Sequence, residues 1–268
     1  MDFFLVRSFD HAGYYETRLI LMVIGFGVAL YYARRRRDQR YLVMFASGVF
    51  FQVLLEVILQ ALGLRGRNFS LSVFGMTLPR TVAVIFQGMT EGGILSLMSF
   101  WFADLCFVSQ GDKAKRRVYL VMCGLIVVLA CVVGYVASGR PISSPRPMFS
   151  PVALILSVVT VLSVLLPMLV KGGEGLRYVG WWYLGAVVYV VLTFEPMHLL
   201  GARYVAVRDS SGQFVAAPLL WQVLLILYSH LYEVAGSKIH YFAVPYLLGL
   251  LKTKGANHET FSVQRVQG

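Results

Sequence analysis

In the stretch FQVLLEVILQ, Gln52, Glu56 and Gln60 stand four residues apart in an otherwise apolar run. That spacing puts all three on one face of a helix. QGMTE repeats the arrangement with Gln87 and Glu91, FEPMH supplies Glu195 and His198, and two later stretches, WQ and YSHLYE, supply Trp221, Gln222, His230 and Glu233. A carboxyl group kept from water can hold its proton at neutral pH and donate it to an alkene, epoxide or carbonyl, while a second carboxylate removes a proton elsewhere. Such a set suits isomerisation or cyclisation of a lipophilic, isoprenoid-like substrate. The expected division of labour makes Glu56 and Glu91 the acid and base. Glu195 and His198 orient them or share the proton. Gln52, Gln87, Trp221, Gln222 and His230 line the substrate site.

The setting for this chemistry is apolar. Of 268 residues, 58% are hydrophobic and 14% charged, whereas a soluble chain carries roughly a quarter charged residues. Mean hydropathy is +0.70, as in an integral membrane protein. The net charge of +11 does not imply nucleic acid, because the basic residues fall in short blocks between apolar runs, where they set topology. Cys106, Cys123 and Cys131 lie inside apolar runs without metal-ligand spacing and read as small packing residues.

A spanning helix needs about 20 apolar residues. Windows of that length predict crossings at 17–33, 41–62, 81–108, 118–136, 152–170 and 178–200, and a seventh beginning at Pro218. The expected fold is an all-α integral membrane protein: a single bundle of about seven transmembrane helices, residues 1–252, with a short C-terminal interfacial helix. An eighth crossing is the alternative for that helix, which covers 239–251. Residues 253–268 are expected to be a short, disordered cytoplasmic tail. RRRRDQR and KAKRR lie on one side of the predicted spans, which makes that side cytoplasmic and leaves the N-terminus outside or lumenal. The first sixteen residues lack the basic region and cleavage site of a signal peptide. The loop RPISSPRPMFSP reads as a connector, and the Asn68 sequon is left unassigned.

Counted at 1.5 Å per residue, Glu56 and Glu195 lie about 10 Å deep from the outer ends of their helices, Glu91 about 15 Å, His198 and Gln222 about 5 Å, and His230 and Glu233 about 18 and 22 Å. Three carboxylates from three helices thus share the outer half of the bundle. Charged groups there need a partner, a cavity or a function. Gln52, Gln60 and Gln87 also suit interhelical hydrogen bonding, and Gly88, Gly92 and Gly93 a close helix contact. Glu233 is expected to pair with Lys238 near the inner interface, Asp104 to reach water or a basic loop residue, and Trp181, Trp182 and Tyr183 to form an interfacial belt.

Two other readings stay open. Glu195-x-x-His198 and His230-x-x-Glu233, with Glu56 and Glu91, make the ligand inventory of a di-iron bundle, although the unequal depths oppose it. A single iron or zinc at Glu195 and His198 would support an oxidase or hydrolase. Alternatively, Glu56, Glu91, Glu195 and His230 would relay protons in a transporter or sensor. The leading reading needs no cofactor. Its partners are a lipophilic small molecule and membrane lipid.

Overall fold

The computed structural model describes residues 2–9, 12–61, 71–107, 109, 111–142, 144–149 and 151–251. The Asn68 sequon and the expected tail at 253–268 lie outside them. The protein is 74% helical, and six helices are long and apolar enough to cross a membrane. The bundle comprises α1 (Tyr14–Arg35), α2 (Arg40–Ala61), α3 (Arg80–Phe107), α4 (Lys113–Ala137) and α5 (Pro151–Leu199). A last apolar stretch covers Leu219–Leu247. It consists of α6 (Leu219–Tyr228), a π-helical segment (Ser229–Ala235), a 3₁₀ turn (Gly236–Lys238) and α7 (His240–Leu247). α3 is the most enclosed of the six, and its Ile94, Leu97, Phe100 and Trp101 centre the main core.

α5 is continuous in hydrogen bonding but not in direction. Gly172 has φ 60 and ψ −145, which a residue with a Cβ adopts only under strain. A straight helix of that length would separate its ends by about 70 Å. Instead the strands flanking it both pair with the same third strand, and the Gly175 Cα faces the Pro167 carbonyl. The helix therefore folds back at Gly172.

Strands correct the all-α expectation. β1 (Phe3–Arg7), β4 (Ser144–Pro147), β5 (Arg203–Arg208) and β6 (Phe214–Ala216) form an antiparallel sheet in the order β4-β1-β5-β6. The proline-rich loop is thus no mere connector. β4 lies at the sheet edge, where Pro145 and Pro147 cost no central hydrogen bond. At the β5–β6 turn the Asp209 carboxylate accepts from the Ser211 hydroxyl and from the Ser211 and Gln213 amides. Those bonds, the Ser211 hydroxyl first, hold its pKa below the ordinary carboxylate range.

The segment expected as an interfacial helix runs on into the bundle instead. Tyr241 and Phe242 are fully buried, and the Ser47 hydroxyl, from the middle of α2, donates to the Tyr241 carbonyl at 2.6 Å. Trp182, expected in a belt, is fully buried against Phe242.

β2 (Leu71–Val73) and β3 (Met76–Leu78) form a hairpin whose two turn residues, Phe74 and Gly75, have φ of 49 and 75. Two positive φ values define the tight hairpin turn that favours Asn-Gly. The Glu16 carboxylate accepts from the Phe74 amide at 2.7 Å, while the Phe74 ring is exposed. Phe74→Asn is therefore expected to raise stability by about 0.5–1 kcal/mol, read as a higher melting temperature in detergent. A lower one would show that the exposed ring has a partner.

Candidate functional site

The site begins with a helix contact that only glycine permits. A Cβ on Gly92 would fall on the Gly48 carbonyl oxygen, and one on Gly48 would fall on that of Gly92. α2 and α3 thus touch backbone to backbone, as the small-residue spacing on α3 predicts. One turn beyond, Gln52 and Glu56 are both buried. The Gln52 amide donates to Glu56 Oε1 at 3.1 Å, and its carbonyl accepts from the Tyr241 hydroxyl. On α3, Glu91 Oε1 accepts from the Tyr14 hydroxyl at 3.2 Å. Glu56 and Glu91 both lie within electrostatic reach of the Tyr241 hydroxyl.

A cation backs this pair. Arg18, on α1, is buried. It donates to the Tyr189 hydroxyl at 2.7 Å, and its guanidinium lies 4.8 Å from the Tyr14 ring centre. An arginine beside a glutamate in a low-dielectric interior stabilises the ionised carboxylate, whereas phenol donors can pass a proton toward it. Groups from α1, α2, α3, α5 and α7 thus meet in one buried polar network around the two glutamates. A small void of about 10 Å³ lies beside Thr17, Arg18 and Thr193, room for about one water.

Glu195 turns to a second cluster, at the sheet end of α5. Its Oε1 lies 3.2 Å from His230 Nδ1, and the His198 and His230 rings are 5.5 Å apart. The depth count, which put His230 well below Glu195, is corrected here. α6 does not begin at the edge of the bundle. It lies along the sheet, with Leu225 packed among Leu5, Met148, Val205 and Val207, so offsets from Pro218 overstate depth. The same error misplaced Glu233, which pairs with Arg146 of β4 at 2.6 Å. His230 and Glu233 lie on the π-helical segment, a distortion frequent at functional sites.

Other predicted residues have local roles. Gln87 is buried with no partner for its Oε1. Gln60 accepts from Arg80 at 2.6 Å and ties α2 to α3. Trp221 is half exposed and tilts on Phe3, ring centres 5.1 Å apart. Gln222 donates to the Ala217 carbonyl at 3.0 Å. These last two brace α6 on the sheet and do not join the glutamates. Asp104, as expected, meets basic residues, Arg40 and Lys115. Among the described residues no group of three or more His, Cys, Asp or Glu is gathered closely enough to hold a metal.

Counting only carboxylates, amides and histidines missed Tyr14, Arg18, Tyr189, Arg203 and Tyr241. Arg18 carried the clearest signal, a charge one residue inside a predicted span.

The fold and site define a multi-pass helical membrane protein with a small antiparallel sheet over one end of the bundle and a buried polar network beneath it. No family model, curated protein or solved structure matches the chain.

Proposed function

We propose that this is a membrane-embedded enzyme that isomerises or cyclises a lipophilic, isoprenoid-like substrate with Glu56 and Glu91 as its acid and base. The carrying observation is that these two buried or half-buried glutamates, from helices in backbone contact, share the surroundings of Tyr241. In the reaction one carboxyl group donates a proton to a substrate double bond and the other removes one from a neighbouring carbon, so no electrons are gained or lost. Tyr14 holds Glu91, with Arg18 stacked on the Tyr14 ring, and Tyr241 and Gln52 hold Glu56. Glu195, His198 and His230 flank this pair toward the sheet.

Folding back at Gly172 gives α5 two crossings, hence seven in total. The basic blocks at 34–40 and 113–117 are cytoplasmic under the positive-inside rule, which puts the sheet on the outer or lumenal face.

The test is turnover of a panel of isoprenoid and other lipid substrates by the purified protein in lipid nanodiscs, products being identified by mass spectrometry. Glu56→Gln and Glu91→Gln are each expected to lower turnover about a hundredfold while the protein remains monodisperse. If the double replacement leaves turnover intact, acid/base catalysis by these residues is wrong.

A further inference from the structure

Two arginines face each other across the sheet. Arg7 of β1 and Arg203 of β5 are directly opposed across the ladder, an arrangement that destabilises a sheet when the charges are alike. Alternation along the strands puts Leu5, Arg7, Arg203, Val205 and Val207 on one face. Leu5, Val205 and Val207 of that face pack on Leu225 of α6, so the two arginines share the face that looks toward the helices. Arg146, opposite Leu5, is held by Glu233.

Arg203 is the anomaly. It is 5% exposed, and its Nε has no hydrogen-bond partner. Its Nη2 reaches only the Ser229 hydroxyl, at 3.4 Å, and its guanidinium lies 4.0 Å from the Phe194 ring centre. Burial first, then the neighbouring Arg146, pulls its pKa down to about 9. Glu233 and Glu195 lie within electrostatic reach of Arg203, so what the buried guanidinium lacks is an acceptor for its donors rather than a counter-charge. Around it, His230 Nε2 also lacks a hydrogen-bond partner, as do both nitrogens of His198, which lies beside the Arg203 main chain. His230 Nδ1 is engaged by Glu195. When that carboxyl group holds the proton it donates to Nδ1, leaving Nε2–H free to donate.

We propose that Arg203, with His230, Ser229 and the opposed Arg7, binds the phosphate group of a phosphate-bearing ligand beneath the sheet. A phosphate oxyanion supplies what the Arg203 and His230 donors lack: several acceptor oxygens, open to donors arriving from a strand and a helix. Carried on a lipid, the phosphate would sit at the mouth of the bundle with its chain running toward Glu56 and Glu91. This names the substrate class of the proposed enzyme and in that respect rests on that reading, although the binding does not.

The experiment is native mass spectrometry of the full-length protein in detergent, titrated with dihexanoyl phosphatidic acid, dihexanoyl phosphatidylcholine or inorganic phosphate. Phosphatidic acid is expected to bind in preference to phosphatidylcholine. Arg203→Gln should weaken binding about tenfold or more, the value of a charge-assisted hydrogen bond. Arg7→Gln should weaken it less, and this variant, at a half-buried position, keeps the test open if Arg203→Gln does not fold. Inorganic phosphate binding with the same Arg203 dependence would mean a free phosphate ligand, and binding of the lipid alone a headgroup. Equal binding of the two lipids without binding of inorganic phosphate, or binding unchanged in both variants, overturns the proposal. Glu56→Gln should leave phosphate binding intact, so a failed catalytic reading and a failed phosphate site give different results.

Discussion

Replacing Asp104 by Asn is expected to cost about 3–5 kcal/mol of stability, because removal of one partner strands the buried charges of the others. Asp104 is fully buried. Its Oδ2 accepts from Lys115 Nζ at 2.7 Å, the Tyr41 hydroxyl at 2.9 Å and the Ser109 hydroxyl at 3.0 Å. Its Oδ1 lies 3.0 Å from Arg40 Nη2, and Arg40 also grips Asp38 at 2.7 Å. Burial pushes the Asp38 carboxyl up, but the Arg40 hydrogen bonds and charge outweigh this and hold it below the ordinary range. The cluster joins the α1–α2 loop, the start of α2, the end of α3 and the start of α4. Asn keeps the shape and removes the charge, so a melting curve in detergent reads the electrostatic part. A loss below about 1 kcal/mol, the value of an exposed pair, would mean that water screens the cluster. Lys115→Met added to Asp104→Asn should recover part of the loss, since it removes one stranded cation.

The apolar runs made the long helices legible, because a bilayer demands length and hydropathy at once. The sheet was not. RYVAVR alternates as a strand should, with Val205 and Val207 on one face, but its partners lie far off in sequence, at 3–7 and 214–216. β4 is worse, since SPRP offers two prolines and no apolar alternation. Its pairing is imposed by β1 alone. The reversal at Gly172 was implied by KGG between two apolar runs. Continuation of the last helix through Gly236 into α7 was hidden by Gly, Ser and Lys in sequence, residues that usually end a span.

For the site, periodicity identified Glu56 as inward-facing, and the glycines of α3 marked a close helix contact, which is the one with α2. It failed where depth was measured from the wrong boundary, as for His230 and Glu233, and where a residue type was set aside. Basic residues were weighed only as topology signals, never as site groups, so Arg18 and Arg203 were passed over even though one is buried among the groups near Glu91 and the other beside His230. Tyrosine was read as belt or core. Here Tyr14 and Tyr241 are the phenols that connect the glutamates to their surroundings.

Gly92→Ala is expected to damage fold and site together, and at comparable cost. Its new methyl group would meet backbone of α2 as well as the Gln52 Cβ at 2.5 Å. Backbone cannot swing aside as a flexible side chain does, so the helices must separate, at about 3 kcal/mol, the upper end of ordinary overpacking. Gln52 is the residue between Glu56 and Tyr241, and Glu91 is the immediate neighbour of Gly92. Separation therefore moves both proposed catalytic groups relative to Tyr241. A displacement of about 1 Å in such a constellation can lower turnover a hundredfold. Gly27→Ala is the matched control: it too lies inside a helix, but its Cβ would meet nothing within 4 Å, and helix propensity there favours alanine by about 1 kcal/mol. Melting temperature and turnover should fall for Gly92→Ala and hold for Gly27→Ala. If Gly92→Ala lowers stability but leaves turnover untouched, the α2–α3 contact holds the bundle together without aligning the glutamates, and the acid/base pair must be sought elsewhere in the network.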